Sequence, residues 1–464
     1  MKLNLDFYQE KEEVLSKAQE ELIKEYIEKY DDSDYEKYFK DTVSESEIYH
    51  LSSESQNMIN WYPFQQETTI LEIGGNLGEL TEVFCKKAKR VVTIEPNLKK
   101  AKAIQKRHKK QSNLEVIVGN FKQIKLNEKF EYITLIGCMD DVYNILGENG
   151  KLENLIEIVK KYLNENGKIL LAVDNKFGLR YFAGNPENKL NKKFESLIGY
   201  NNELEKIETF TYSSLKRKIE KLGLFSNFYY PLPDYRMPNV IFSDKQLPKY
   251  NTVDKYNPYY KDESTILINE IDVLREILKT DENMFHFFAN SFFVEITQNK
   301  EDIKYQYISF NNLRKEQYRL ITKISDTYVG KDVVNSEAHE HYENIQENIE
   351  LLEKNEIKTV DYIENGKIYS KYIDQENMLN NVLTQALEEN RKDVFDRIIN
   401  QYIEVISKNS IKINNYKDTV FAEYKIEATK EEKELIKNMN FLSQGLWDMT
   451  FKNCFYLERR IVFF

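Results

Sequence analysis

The sequence predicts an α/β protein, a doubly wound and mostly parallel sheet followed by a second, α+β domain. Residues 70–78, Ile-Leu-Glu-Ile-Gly-Gly-Asn-Leu-Gly, form a buried-strand run that carries Glu72 and passes into glycines at 74, 75 and 78. A second strand-like run, Arg90-Val-Val-Thr-Ile-Glu95, ends in a carboxylate 17 residues after Gly78. From 68 to 173, strand-like and helical patterns alternate at 68–73, 80–88, 90–95, 97–108, 114–118, 132–137, 151–163 and 168–173. Such alternation builds a parallel sheet with helices on both faces.

Ahead of the first strand, residues 8–31 place Val14, Ala18, Leu22, Ile23 and Tyr26 at helical spacing among acids and lysines, which predicts an amphipathic helix and an N-terminal extension over 1–44. The glycine run comes next. A strand that turns directly into a helix passes close beneath a bound cofactor, and residues without a β-carbon permit that approach and its backbone angles. The nicotinamide fingerprint is not met. From Gly74 the spacing runs Gly74, Asn76, Gly78, and Glu79 would set negative charge against a pyrophosphate, so the expected cofactor carries no phosphates. A carboxylate ending the next strand, here Glu95, suits the two hydroxyls of a ribose. The alternative for this segment is an α/β domain whose glycines serve turn geometry alone.

Leu71-Glu-Ile-Gly74-Gly-Asn-Leu-Gly78, Thr93-Ile-Glu95 and Gly119-Asn-Phe121 together resemble, in order and spacing, the first three motifs of class I S-adenosylmethionine-dependent methyltransferases, a Rossmann-like fold. The resemblance implies S-adenosylmethionine as cofactor. It places Glu72, Gly74, Gly75, Asn76 and Gly78 beside the methionine moiety, Glu95 and Pro96 at the ribose, Asn120 and Phe121 flanking the adenine, and Gly137 at the end of the fourth strand. Asn76 departs from the pattern by standing where the middle glycine is expected; it either narrows the pocket or is a tolerated left-handed residue.

His50-Leu-Ser with Trp61-Tyr-Pro-Phe64 before the glycine motif, Asp174-Asn-Lys-Phe-Gly-Leu-Arg-Tyr-Phe-Ala-Gly184, and Tyr229-Tyr-Pro-Leu-Pro-Asp-Tyr235 with Pro238 resemble a bacterial subgroup found with glycosyltransferases. With 287–295 as its last strand, the methyltransferase domain is expected over 45–297, with 181–285 as an insert that builds the acceptor pocket.

Beyond 304 the pattern changes. Strand-like stretches at 304–310, 318–324 and 331–334 precede a helix at 336–353, and Glu364-Asn-Gly-Lys367 joins two strands in a hairpin. Asp448 and Asn453, before a hairpin-like end, resemble the catalytic loop of a kinase-like, choline-kinase-like domain over 304–464. This sequence departs from that family in lacking a glycine-rich loop over 304–330, in having Asn335 where the strand-three lysine would align, and in stopping before the second metal-binding Asp. An incomplete, inactive module is the expectation.

Composition limits the function classes. A net charge of −11 argues against nucleic acid, and the basic cluster from Lys99 to Lys110 fits the solvent side of a helix. The three cysteines, Cys85, Cys138 and Cys454, are scattered, which suggests a reducing compartment and offers no metal spacing. No apolar run approaches the ~18 residues of a membrane span, so a cytoplasmic protein is expected.

Methyl transfer needs an acceptor lone pair in line with the donor methyl, and a base only for hydroxyl acceptors. Asp140 and Asp174, at the ends of the fourth and fifth strands, are the candidate catalytic carboxylates, and a cap or loop role is the alternative for each. The end of strand four, Ile136-Gly-Cys-Met-Asp140, lacks the Asn/Asp-Pro-Pro-Tyr motif of amino-group methylation, which favours oxygen. Tyr229, Tyr230 and Tyr235 suit either sugar stacking or core, and His286 is the one histidine suited to the acceptor side. The expected function is O-methylation of a sugar or phosphosugar of a surface polysaccharide or its precursor, with glycosyltransferases of the same pathway as partners. The alternatives are a non-catalytic scaffold that keeps the fold, and a protein or small-metabolite methyltransferase.

Overall fold

The computed structural model describes residues 1–10, 15–31, 34–146, 150–188, 190–200, 208–253, 258–260, 264, 266–373, 375–408, 410–412, 415–442 and 449–463, with the side chains of Asp140, Asp141, Tyr143, Asn144, Gln375, Ser410 and Leu442 outside the description. The chain forms two compact units, Met1–Leu313 and Arg314–Phe464.

In the first unit, β2 (Thr69–Ile73), β3 (Arg90–Glu95), β4 (Leu114–Val118), β5 (Phe130–Ile136) and, from Ile169 to Val173, β6 (Leu163–Asp174) are largely apolar because both faces of a parallel sheet are covered. Ile70, Leu71, Val91, Val92, Val116 and Ile133 are fully buried. The order is β4-β3-β2-β5-β6, all parallel, with Leu71 level with Val92 on one side and Ile133 on the other. The chain thus runs outward from β2 through β3 to β4 and then returns to β2's other side. That reversal makes a crevice at the carboxyl ends of β2 and β5, the place where open α/β sheets bind ligands.

Beyond β6 the pairing becomes antiparallel. Strand β9 (Ser291–Thr297) lies between β6 and β7 (Phe225–Leu232), and β8 (Val240–Ser243) and β10 (Tyr307–Phe310) complete that side. Three expectations change here. The stretch 181–285 supplies two strands of the sheet besides loops. Residues 285–288 form a short helix, so the last strand starts at Ser291 instead of 287. The first unit extends to Leu313 because β10 pairs with β8.

The N-terminal extension is also part of this unit. Strand β1 (Lys2–Asn4) adds in parallel to β4, a three-residue element too short to show periodicity. Helix α1 (Lys17–Leu22) starts at a capping box in which Ser16 accepts from Gln19 N. Leu22, Tyr26 and Ile27 form one apolar cluster with Leu51 of α2 (Glu45–Leu51), Leu77, and Ala103. Helices α3 (Asn57–Asn60), α4 (Thr81–Lys87) and α5 (Leu98–Arg107) follow, α5 carrying Ala103.

In the second unit, β11 (Leu320–Ile324), β12 (Tyr328–Val333), β14 (Lys367–Lys371) and β13 (Asp361–Glu364) pair antiparallel in that order. The helix His339–Lys354 packs Tyr342 and Ile349 on Leu320 and Ile368. The Asn-Gly hairpin forms as read, with Asn365 at φ +50° and Gly366 at φ +72°. A second cluster joins Leu379, Leu383, Ile398, Ile461 and Phe463, from helices Leu379–Glu388 and Lys392–Ser407 and the terminal hairpin. Asn335 caps the turn before the long helix, accepting from Ala338 N at 3.0 Å. Asp448 lies outside the described residues, while Asn453 ends a 3₁₀ turn.

Candidate functional site

The glycine loop is built by what stands behind it. A β-carbon on Gly75 would lie 2.3 Å from the Thr93 Cγ2 of β3, so the loop rests directly on the neighbouring strand. Gly78, at φ +83°, would meet His108 Nε2 at 2.7 Å. His108 bonds the Gly78 carbonyl at 2.8 Å, and burial, helped by the neighbouring Arg107 charge, pushes its imidazole down to about 4. Gly78 therefore stands behind the loop against α5's end. Asn76, at φ +51°, takes the left-handed conformation expected of the middle glycine.

In front of the loop lies a cavity of about 320 Å³ at the carboxyl ends of β2 and β5. Its wall includes Glu72, Gly74, Gly75, Asn76, Glu95, Pro96 and Gly137. Gly78, Asn120 and Phe121 are not in that wall, a departure from their expected placement. Asn120 caps the next turn by accepting from Lys122 N, and Phe121 is turned into the core beside Tyr162, ring centres 6.0 Å apart.

Three buried carboxylates face this space. Glu95 accepts the backbone N–H groups of Asn76 at 2.9 Å and Asn97 at 3.0 Å, one on each oxygen. Glu72 accepts from the hydroxyls of Thr81 and Thr93, both at 2.7 Å, yet burial outweighs these bonds and pushes its carboxyl up to about 7. Glu79 shows the reverse balance. Burial alone would raise it, but the His50 imidazole at 3.4 Å, Leu77 N at 3.1 Å and the Asn76 amide at 2.8 Å hold it down to about 2.

Sequence reading missed several wall residues. Gln19 belongs to the distant α1; its capping bond to Ser16 orients it so that its Nε2 donates to Asn76 Oδ1 at 3.1 Å. Glu79 was legible only as a charge hostile to pyrophosphate. Tyr49, Asn188 and Arg236 carried no local signal, although Arg236 directly follows the Tyr229–Tyr235 motif.

On the acceptor side, Asp140 sits in the 3₁₀ turn Cys138–Asp141 at the end of β5, and its side chain lies outside the described residues. Asp174 ends β6 with its two oxygens on the fork of Arg236, at 3.0 and 2.8 Å, and the Asn188 amide at 3.2 Å. Arg236 also reaches Asp234, which pairs with Arg180 and accepts from Tyr259. Opposed to burial, those two guanidinium groups keep the Asp234 carboxyl low. Of the aromatic candidates, Tyr229 packs on Trp61 and Phe293, and Tyr230 bonds Asp244 and His286. His286 stacks on Tyr212, ring centres 4.6 Å apart, and is absent from the cavity wall. Tyr235 does line the cavity. No metal-holding cluster occurs among the described residues.

A doubly wound sheet with a carboxylate-lined cavity at its switch point defines a cofactor-binding α/β domain. Comparison adds its kind. Residues 48–225 match the family described as a methyltransferase domain, so the N-terminal half carries a methyltransferase domain. The chain is 23% identical over 225 residues, 48% of its length and 69% of the relative's, to ribosomal RNA small subunit methyltransferase A of Borreliella burgdorferi. Among solved structures, it is similar to a SAM-dependent methyltransferase from Aquifex aeolicus, with 13% identity and TM-score 0.29 over 39% of this chain and 85% of that one. It is also similar to the plantazolicin methyltransferase BpumL in complex with SAH, with 12% identity and TM-score 0.32 over 55% of this chain and 84% of that one.

Proposed function

We propose that the chain is an S-adenosylmethionine-dependent methyltransferase that O-methylates a sugar or phosphosugar of a surface polysaccharide or its precursor. The observation that carries the first half is the cavity itself. Its wall holds three carboxylates, one of them held ionised by its surroundings, which suits a cationic sulfonium and opposes a pyrophosphate. Glu95 would hold the ribose hydroxyls, and the Gly74–Asn76 backbone would lie along the methionine part. When bound, this cofactor supplies an electrophilic methyl group.

The chain's own residues supply position and dryness. Tyr235, Gly137 and Cys138 close the cavity on the side of β5, where an acceptor has to approach. Asp174, fixed by Arg236, orients the acceptor hydroxyl, and Asp140, at the end of β5, is assigned the proton. The glycan class rests on the segments 174–184 and 229–238 and their likeness to glycan-associated methyltransferases, an argument by analogy. The relative's ribosomal substrate does not suit a chain of net charge −11. The second unit is read as a kinase-like module in a scaffolding role.

The test is transfer of labelled methyl from S-adenosylmethionine to carbohydrate, protein and RNA fractions of the source cell. Label in an alkali-stable ether on a sugar is expected; label confined to protein or RNA would overturn the acceptor class.

A further inference from the structure

A second cavity, of about 40 Å³, adjoins the first at the end of β6, and Gly137, Asn188 and Tyr235 line both. A water needs about 10–15 Å³ on this measure, so the space fits a group of a few heavy atoms. Its acids are already engaged. Asp174 is on Arg236, Glu187 accepts from Leu190 N at 2.6 Å and the Tyr200 hydroxyl at 3.2 Å, and Glu208 pairs with Lys218 at 2.8 Å.

Two donors in the same wall have no hydrogen-bond or ion-pair partner among the described residues, although the Lys176 ammonium lies over the Phe177 ring, 5.3 Å from its centroid. Half-buried Lys176 follows β6, with its ammonium 3.6 Å from where a β-carbon of Gly199 would sit, and no carboxylate among the described residues pairs with it. Ser196 is 3% exposed and its hydroxyl finds no hydrogen-bond partner among the described residues. A buried hydroxyl without a partner costs about 1–3 kcal/mol, a cost that a bound acceptor atom would relieve. The cavity therefore pairs a cation that no carboxylate meets among the described residues with a waiting donor, beside the place where the methyl group is delivered.

We propose that this second cavity is an acceptor subsite for a small anionic group, a carboxylate or a phosphate monoester, held by the Lys176 ammonium and the Ser196 hydroxyl. This rests on the methyltransferase reading and narrows it. The acceptor becomes an acidic or phosphorylated sugar, anchored through its anion so that a neighbouring hydroxyl is turned towards the first cavity through the gap at Gly137 and Tyr235.

The test is calorimetric titration of the full chain, saturated with S-adenosylhomocysteine, with glucose 6-phosphate, glucuronate and glucose. One or both anions bind saturably and neutral glucose does not; which anion binds tells phosphate from carboxylate. Lys176→Met weakens that binding about tenfold or more, Lys176→Arg largely retains it, and Ser196→Ala weakens it by a smaller factor, all with unchanged affinity for S-adenosylhomocysteine. Failure of both anions to bind, or equal binding to Lys176→Met, overturns the subsite. Failure of the wild-type chain to bind S-adenosylhomocysteine would overturn the methyltransferase reading instead, and the anion titration of the free chain would then decide the subsite separately.

Discussion

The Glu95 carboxylate accepts the backbone N–H of Asn76 at 2.9 Å, so the residue that ends one strand fixes the left-handed turn that follows its neighbour. Under the proposed function, cofactor recognition and loop geometry would therefore be coupled in one side chain. Removing the carboxylate acts on both.

Asn76 is needed less for its amide than for its backbone. Asn76→Gly keeps the φ +51° conformation at little cost and is expected to retain cofactor affinity within a few-fold, whereas Asn76→Ala should cost about 1–2 kcal/mol of stability. Urea denaturation of both variants checks this. Equal stability of the two would place the loop's constraint in the amide's bonds to Glu79 and Gln19.

Glu72 predicts a pH dependence. Its folded-state carboxyl, near 7, stands above the ordinary 4.5, so between those values the unfolded chain holds fewer protons and stability falls as pH rises. The loss is on the order of 3 kcal/mol and is complete above about 7. Glu72→Gln should remove this part of the slope, and the difference between the two stability profiles isolates it from Glu270, which burial also lifts to about 7. Parallel profiles would refute the assignment.

Asp174 and Arg236 form a forked pair, with the Arg236 side chain about 10% exposed. Asp174→Asn should destabilise the first unit by about 1–3 kcal/mol through the weakened partner of a buried cation, read as a lower melting temperature. It should also lower kcat/KM for the acceptor while leaving the affinity for S-adenosylhomocysteine unchanged.

Gly366 tests the second unit by itself. A β-carbon there meets nothing within 4 Å, so the cost of Gly366→Ala is that of φ +72° alone, about 1 kcal/mol in denaturant unfolding. A neutral result would mean that the hairpin turn rearranges.

Most of the candidate cavity was legible because it lies in consecutive residues: the end of β2, Glu95 with Pro96, and Gly137 each follow a strand whose apolar run is visible. Asn120 and Phe121 were placed by the same logic but do not line the cavity. They follow β4 in the expected register, but the chain there turns the Phe121 ring inwards, which is a packing choice with no sequence signature. Gln19 and Asn188 reach the cavity from distant loops and helices, where only tertiary structure brings them near. The strands in 225–243 were hidden by Pro231, Pro233 and Pro238, which read as loop punctuation, and β1 by its length.

The most direct measurement is calorimetric titration of the full chain with S-adenosylmethionine, beside Glu95→Gln and Glu95→Ala. Saturable micromolar binding to the wild-type chain, about tenfold or more weaker in Glu95→Gln and lost in Glu95→Ala, is the predicted result. Absence of binding to the wild-type chain, or equal binding to all three, would contradict a cofactor site at the end of β2.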